Sequence, residues 1–285
     1  GKTRIAGTQD YLLTANSYQN ITSGINTKLK LNTGKVRINK IDDETKQGIE
    51  GVTFELYNSK NELITTATTD AEGKIEFTNL YQGKYILKET KTNENYILDE
   101  NSEFSIDVTY NNTTTIDIEN EHKKGDLTIY KVDKENNNIL LGNVGFELYS
   151  KETGKLIGTY YTDVNGKIEI KDLRTGNYML KEISTNKWYN LAEDIELEVK
   201  WNETTETKVE DELKKSQIKI IKVDKDNNEI KIPNVVFEVL DTNDNVLETI
   251  KTNEQGEAST KEYPLRDFQK LRLREIETNE MYKLN

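Results

Sequence analysis

The heptapeptide Leu127-Thr128-Ile129-Tyr130-Lys131-Val132-Asp133 alternates apolar and polar residues, as a β-strand with one buried face does. Two further segments repeat it, Val36-Arg37-Ile38-Asn39-Lys40-Ile41-Asp42 and Ile218-Lys219-Ile220-Ile221-Lys222-Val223-Asp224. The lysines of the three copies follow one another at a constant interval of 91 residues. This period is that of a whole domain and lies well above the roughly 20–45 residues of a solenoid repeat. The sequence therefore predicts domains in tandem.

Other segments recur in the same order after each copy of this strand. Val52-Thr53-Phe54-Glu55-Leu56 has counterparts at 144–148 and 235–239, and Tyr85-Ile86-Leu87-Lys88-Glu89 has counterparts at 178–182 and 271–275. Between them lie polar turns that end in glycine, which adopts the positive φ of a hairpin without strain; these glycines are Gly73, Gly166 and Gly256. Short alternating strands, frequent turns and no helical periodicity predict an all-β fold of β-sandwich domains.

The repeat divides the chain into four predicted segments. Residues 1–34 are the tail of a preceding domain or a linker strand, 35–122 and 123–213 are complete domains, and 214–285 is a third domain without its closing strand. The junctions at 121–125 and 212–216 are short and polar, so we expect an elongated rod. Apolar residues alternate in the tail, which favours the closing strand of a preceding domain; alternatively, the tail donates a strand to another unit or another copy. Because the pattern starts and stops midway, we expect a fragment of a longer protein.

Composition excludes several classes of function. The chain has 285 residues and a net charge of −12, which argues against nucleic-acid binding and against docking on anionic lipid. No residue is cysteine and only His122 is histidine, which leaves no thiolate or histidine-cluster metal site. We expect no cofactor, no metal and no membrane segment in this chain, and a solvated His122 in a linker.

Two weaker signals are interpreted as structural. Asp224-Lys225-Asp226-Asn227-Asn228 resembles the opening of a calcium loop but lacks its glycine at the sixth position and its glutamate at the twelfth, so a polar turn is the better interpretation. The aromatic residues Trp188, Trp201 and Tyr160-Tyr161 form either a ligand patch or, more simply, part of the packing.

Charged residues share a strand face with the core residues of each repeat. Side chains alternate between faces along a strand, so Lys131 points the same way as Leu127 and Ile129. The same alternation aims Glu182 inward with Tyr178 and Leu180. The equivalent inward positions are Lys40, Glu89 and Asn120 in the first repeat, Asp211 in the closing strand of the second, and Lys222 and Glu275 in the third.

Two interpretations of these buried groups remain open. A buried ion pair that caps the core is the simpler one, since structural pairs are common. Its repetition at matched positions, with asparagine replaced by aspartate between repeats, favours acyl chemistry instead, because an ion pair does not treat the two alike. Desolvation makes the amine neutral and nucleophilic and keeps the glutamic acid protonated. Joining the amine to the acceptor would release ammonia from Asn120 or water from Asp211.

The matching features are Lys-x-Asp after the first strand, Val-x-Phe-Glu-Leu, the glycine turn, Tyr-x-Leu-x-Glu and a terminal Asn or Asp. Over about residues 35–285 the chain resembles CnaB-type domains, the prealbumin-like, inverse-Ig modules of Gram-positive surface adhesins and pilins. The resemblance implies autocatalytic isopeptide bonds Lys40–Asn120 and Lys131–Asp211, promoted by Glu89 and Glu182. It leaves Lys222 and Glu275 without an acceptor, because the 80-residue spacing from the lysine falls beyond Asn285. The Pro-x-Gly-Tyr usual after the glutamate is replaced here, which we interpret as a loop change.

These features predict a structural stalk segment of a Gram-positive cell-surface adhesin or pilus-like protein. Its self-crosslinking is single-turnover, so we expect no turnover enzyme. Its partners would be neighbouring domains of the same surface protein, and its location extracellular and anchored to the cell wall. Two alternatives are a module that binds a host-matrix protein of the collagen or fibronectin kind and a sortase-polymerised pilin shaft, which requires a sorting motif that this sequence lacks.

Overall fold

A computed structural model describes residues 32–99 and 102–284, and all regular structure in these ranges is β-strand, which confirms the predicted all-β class. The first repeat contains β1 (Thr33–Asp42), β2 (Thr53–Asn58), β3 (Leu63–Thr68), β4 (Lys74–Tyr81), β5 (Gly83–Lys91), β6 (Glu103–Val108) and β7 (Thr113–Asn120). The second contains β8 (Lys124–Asp133), β9 (Gly145–Ser150), β10 (Leu156–Tyr161), β11 (Lys167–Arg174), β12 (Gly176–Ser184), β13 (Ile195–Val199) and β14 (Thr204–Asp211). The third contains β15 (Lys215–Ser216), β16 (Lys219–Ile221), β17 (Val236–Leu240), β18 (Val246–Lys251), β19 (Glu257–Ser259), β20 (Tyr263–Pro264) and β21 (Arg272–Glu277).

Two sheets make up the second repeat. One has the strand order β10-β9-β12-β13 and the other the order β11-β8-β14. All neighbouring strands in them are antiparallel except β8 and β14, which run parallel. Apolar side chains from both sheets form one core, among them Ile129 of β8, Phe146 of β9 and Leu180 of β12. A parallel pair formed by the first and last strands brings their ends together at one edge of this core.

The first repeat has the same plan. Its sheets follow the orders β3-β2-β5-β6 and β4-β1-β7, so its first strand again lies beside its last. Val36, Ile38 and Phe54 are completely buried between them. Strand β1 begins at Thr33, two residues before the start predicted from the repeat, while the rest of the predicted tail, including the strand expected around residue 29, lies outside the described residues.

By compactness, the described residues up to 93 and those from 98 to 119 form one unit, and residues 94–97 with those from 120 onward form the other. The second and third repeats therefore belong to a single unit. No helix in the described part of the chain is long and apolar enough to cross a membrane.

The third repeat has smaller sheets. They follow the orders β18-β17-β21, β16-β19 and β15-β20, and within 214–284 no strand takes the place of β13 or β14. The sequence predicted a third repeat without its closing strand, and a counterpart of β13 is likewise not among the strands described up to residue 284. Both follow from the same period, because 91 residues added to β13 and β14 lead past residue 284.

The glycine turn fixes the strand that carries the inward-facing lysine. Gly166 has a φ of 68°, and a Cβ at this position would lie 2.5 Å from the carbonyl oxygen of Lys131. The Lys131 N–H donates to the Gly166 carbonyl at 2.7 Å, and the Leu141 N–H donates to the Lys131 carbonyl at 2.9 Å. Both backbone groups of Lys131 are therefore held. Gly73 and Gly256 have φ values of 75° and 67° and the same contact with their own lysines, as the turn pattern predicted.

The junctions between repeats are less polar than the sequence indicated. His122, expected to be solvated, is 6% exposed and pairs with Tyr96, with their rings edge-to-face at 5.0 Å. Leu213 occupies the equivalent position in the next junction and is 3% exposed within the core of the second repeat. The prediction of a solvated His122 was therefore wrong, because one residue of each junction is anchored in buried structure.

The aromatic residues noted in the sequence differ in their burial. Trp188 and Tyr160 pack against the core of the second repeat, whereas Tyr161 and Trp201 are exposed. The Lys123 ammonium lies 4.8 Å from the centre of the Trp201 ring.

Asp224 accepts hydrogen bonds from the backbone N–H groups of Asp226 and Asn227, which makes its segment a polar turn.

Candidate crosslinking site

The second repeat brings an amine and two carboxyl groups together inside its core. Lys131 and Asp211 come from the parallel pair β8 and β14, whose register sets Val209 opposite Lys131. Glu182 reaches them from β12 in the facing sheet. Their exposed fractions are 0% for Lys131, 4% for Glu182 and 0% for Asp211. The alternation of the strands thus leads these three groups away from water and toward one another.

Each group in this triad is held by further contacts. The Lys131 Nζ lies 3.1 Å from Glu182 Oε2 and in very close contact with Asp211 Oδ1. The Thr185 hydroxyl donates to Asp211 Oδ2 at 2.6 Å, and the Ala192 backbone N–H donates to Glu182 Oε2 at 3.2 Å. One oxygen of the aspartate therefore faces the amine while the other is fixed by a hydroxyl.

Ionising both Glu182 and Asp211 beside the single buried amine of Lys131 is costly in free energy. Burial is the largest cause that raises the pKa of Glu182, to about 7, and the neighbouring Asp211 adds to it, while Lys131 opposes the shift. The folded protein thus favours a protonated Glu182 well above the usual pH range of a carboxyl group. Its Oε1 is buried and has no hydrogen-bond partner among the described residues, which leaves a position for a proton.

This arrangement is suited to acyl transfer from aspartate to lysine. The nitrogen and the carboxyl group are held in contact, which is the condition under which neighbouring groups react with high effective molarity. A protonated Glu182 is electrostatically coupled to the acceptor carboxyl of Asp211 and can supply it with a proton. The geometry can therefore support the formation of an amide bond as well as a static ion pair.

The first repeat shows the same amine and acid. Lys40 is 0% exposed and its Nζ lies 2.9 Å from Glu89 Oε2. Desolvation lowers the pKa of Lys40, against the opposing effect of Glu89, and so favours a neutral amine. Asn120 is 6% exposed and ends β7, the sheet neighbour of β1.

The third repeat has the amine and the acid but a more open site. The Lys222 Nζ lies 2.7 Å from Glu275 Oε2, and the side chain of Lys222 is 18% exposed, compared with 0% for its two counterparts. Among the described residues, the hydroxyl of Thr278 and Oε1 of Glu275 are buried without a hydrogen-bond partner. The Thr278 hydroxyl is the counterpart of the Thr185 hydroxyl, which donates to the acceptor Asp211 in the second repeat.

A threonine that the strand pattern did not predict also belongs to the site. Thr185 stands three residues after Glu182 and holds the acceptor, and the same Glu-x-x-Thr spacing recurs at Thr92 and Thr278. A threonine repeated at a 93-residue interval was the available signal. The alternation of the strand does not indicate this residue, because Thr185 lies beyond the end of β12.

The sheets and the buried amine–acid pairs define a protein built from tandem prealbumin-like sandwich domains with a common internal site. The chain belongs to the family of SpaA prealbumin-like fold domains, whose model matches residues 34–122, 125–213 and 216–285. This agrees with the resemblance to CnaB-type domains found in the sequence.

Several known proteins are similar to the chain. Serine-aspartate repeat-containing protein D of Staphylococcus aureus (strain Newman) is 31% identical over 166 residues, which is 50% of this chain and 12% of that protein. Serine-aspartate repeat-containing protein F of Staphylococcus epidermidis is 31% identical over 178 residues, or 54% of this chain and 10% of that protein. The solved structure of the Bacillus anthracis TIE protein matches 89% of this chain and 46% of its own, with 31% identity and a TM-score of 0.55. The chain thus spans about a tenth of the length of the curated relatives.

Proposed function

We propose that this chain is a tension-carrying stalk segment of a Gram-positive cell-surface adhesin or pilus-like protein. Its first two repeats are closed by isopeptide bonds between Lys40 and Asn120 and between Lys131 and Asp211. The observation that carries the proposal is the fully buried contact of Lys131 with Asp211, beside an acid whose pKa is raised to about 7. The similarity to serine-aspartate repeat proteins of staphylococci supports the cell-surface location.

The reaction in the second repeat is a condensation. The Lys131 ammonium passes one proton to the Asp211 carboxylate, and the neutral nitrogen attacks the carboxyl carbon. Glu182 donates a proton to the hydroxyl group that leaves as water and takes the second proton from the attacking nitrogen, which restores the acid. A C–N bond forms, a C–O bond breaks and one water is released. In the first repeat, the nitrogen of Lys40 attacks the amide carbon of Asn120, and the side-chain nitrogen leaves as ammonia after it receives the proton from Lys40 through Glu89. Each site reacts once, so the protein is not an enzyme with turnover.

The position of the bond suits a stalk. In the second repeat it joins the first strand to the last, and residues 132–210 lie between the two attachment points. Tension that enters through β8 passes directly through the bond and leaves after β14. The strands between them therefore need not separate under load.

Single-molecule extension tests this function. If residues 132–210 were released, the chain would lengthen by about 280 Å at roughly 3.6 Å per residue. We expect no such step for the second repeat of the unmodified chain and its appearance in the Lys131→Met variant. A step of that length in the unmodified chain would refute the proposal. Lys222→Met is the matched control, because no closing strand pairs with β16 among the described residues and the release step of its repeat should be unchanged.

A further inference from the structure

A second buried polar cluster lies where the second and third repeats meet. The Tyr189 hydroxyl donates to Asp133 Oδ2 at 2.7 Å, and the exposed fractions of these residues are 3% and 2%. Arg266, from the third repeat, donates through Nη1 to the Tyr189 hydroxyl at 2.9 Å and to Asp133 Oδ2 at 3.4 Å. A guanidinium of one repeat thus enters a carboxylate–phenol pair of the other, and the isopeptide site uses none of these residues.

The backbone delivers Arg266 to this pair. The Leu265 N–H donates to the Lys214 carbonyl at 2.8 Å, directly after the short pairing of β20 with β15. The N–H groups of Asp267 and Phe268 both donate to the Pro264 carbonyl, which closes a tight turn around Arg266. The Asp267 carboxylate accepts from Nε and Nη2 of Arg266 at 2.8 and 3.0 Å, so the guanidinium is oriented before it reaches the pair.

The Asp133–Tyr189 pair carries a negative charge that favours a neighbouring cation. Burial raises the pKa of Asp133, but the hydrogen bonds from Tyr189 and from two backbone N–H groups, together with the Arg266 charge, outweigh it, so the net pKa is lowered. Burial and the Asp133 hydrogen bond raise the pKa of Tyr189 to about 12. The carboxylate therefore stays charged and the phenol stays protonated. The positive charge of Arg266 compensates the buried negative charge.

The third repeat shows that the pair forms within a repeat. Asp224 stands 91 residues after Asp133, and Tyr282 stands 93 residues after Tyr189. The Tyr282 hydroxyl again donates to the carboxylate, which also accepts from two backbone N–H groups. Both residues are only half-buried there. The hydrogen bond between aspartate and tyrosine therefore forms without an arginine, and the pair is fully buried only where an arginine contacts it.

We propose that the Asp133–Tyr189 pair is an arginine-binding seat whose partner is the turn after β20 of the following domain, and that Arg266 in this seat fixes the angle between the second and third repeats. Domains joined by short linkers otherwise move relative to one another. The forked guanidinium, which lysine lacks, contacts the phenol and the carboxylate at once. The half-buried Asp224–Tyr282 pair offers the same chemistry to an arginine of another domain of this fold.

A spin-label distance measurement on the full chain tests the seat. The sequence contains no cysteine, so labels can be placed at Val164→Cys and Glu254→Cys, two exposed positions on equivalent turns of the two repeats. We expect a narrow distance distribution, whose width at least doubles in Arg266→Gln and in Tyr189→Phe and increases less in Arg266→Lys. An unchanged distribution in Arg266→Gln would overturn the proposal.

Lys215→Gln provides the matched control. Lys215 forms an ion pair with Glu135 at 2.5 Å across the same boundary, but both side chains are solvent-accessible, and such pairs contribute little. We expect the distribution of this variant to stay narrow; broadening equal to that of Arg266→Gln would also overturn the proposal. Unchanged tryptophan emission in each variant shows that the second repeat has remained folded.

Discussion

Replacing Glu182 by glutamine should abolish the bond in the second repeat. Glutamine keeps the shape of the side chain but cannot deliver a proton to the acceptor. The variant leaves Lys131 beside Asp211, one amine and one acid, so no uncompensated charge remains in the core. The change therefore separates the covalent bond from the electrostatics of the site.

The size of the effect follows from the loop that the bond closes. For the residues between positions 131 and 211, the chain-entropy relation gives a stabilisation of about 4.5 kcal/mol. With a typical dependence on guanidinium for a domain of this size, its loss lowers the unfolding midpoint by about 1–2 M. The same loss lowers the melting temperature by roughly 20–35 °C. If the triad were only an ion cluster, the Lys131–Asp211 pair would remain intact and the substitution would cost little.

Tryptophan fluorescence provides a selective assay. The two tryptophans of the sequence, Trp188 and Trp201, both lie in the second repeat, and Trp188 packs against its core. Guanidinium unfolding followed by this signal reports on that repeat alone. Glu89→Gln is the control, because it should block the bond of the first repeat and leave the tryptophan transition unchanged.

Loss of one water from the second repeat of the Glu182→Gln protein would refute the proposed role of Glu182 as a proton donor. So would a tryptophan transition that coincides with that of the unmodified chain. Either outcome would mean that the acid is only structural.

Three further predictions concern rates and the third repeat. The first uses chain that is refolded from an unreacted, unfolded state and followed by mass spectrometry. Water loss in the second repeat should slow about tenfold per pH unit above about 7, because Glu182 loses its proton there. Ammonia loss at Asn120 needs no second proton and should show no such decline. Thr185→Val should slow water loss roughly tenfold, because it releases the acceptor carboxyl. Thr278→Val removes a hydroxyl without a hydrogen-bond partner among the described residues, so chemical denaturation should show no loss of stability in the third repeat. Peptide mapping should recover Lys222 unmodified, and Lys222 joined to an Asn or Asp of the same chain would contradict this account.

The alternation of the strands was sufficient to predict the inward orientation of the candidate residues. A period of two leaves no choice of face for Lys131 or Glu182 once their apolar neighbours are assigned to the core. The fixed interval between repeats then indicated which strand carries each acceptor. Strand pattern and repeat together therefore yielded the fold class and the residues of the site.

The remaining features depend on tertiary contacts that follow neither the alternation of a strand nor the interval between repeats. His122 and Leu213 are buried by the loops that fold over them, and a polar junction sequence does not reveal that cover. Thr185 lies beyond the end of the alternating pattern and meets Asp211 only through the tertiary fold. Arg266 meets Asp133 and Tyr189 across the boundary between the second and third repeats, and neither strand alternation nor the repeat interval specifies a contact between repeats.

Intact mass spectrometry of the denatured chain tests the central claim most directly. Covalent bonds survive denaturation, whereas ion pairs and hydrogen bonds do not. The account predicts a mass lower than that of the sequence by one water, from Lys131 and Asp211, and one ammonia, from Lys40 and Asn120. A mass equal to that of the unmodified sequence would contradict it and leave these groups as buried ion pairs.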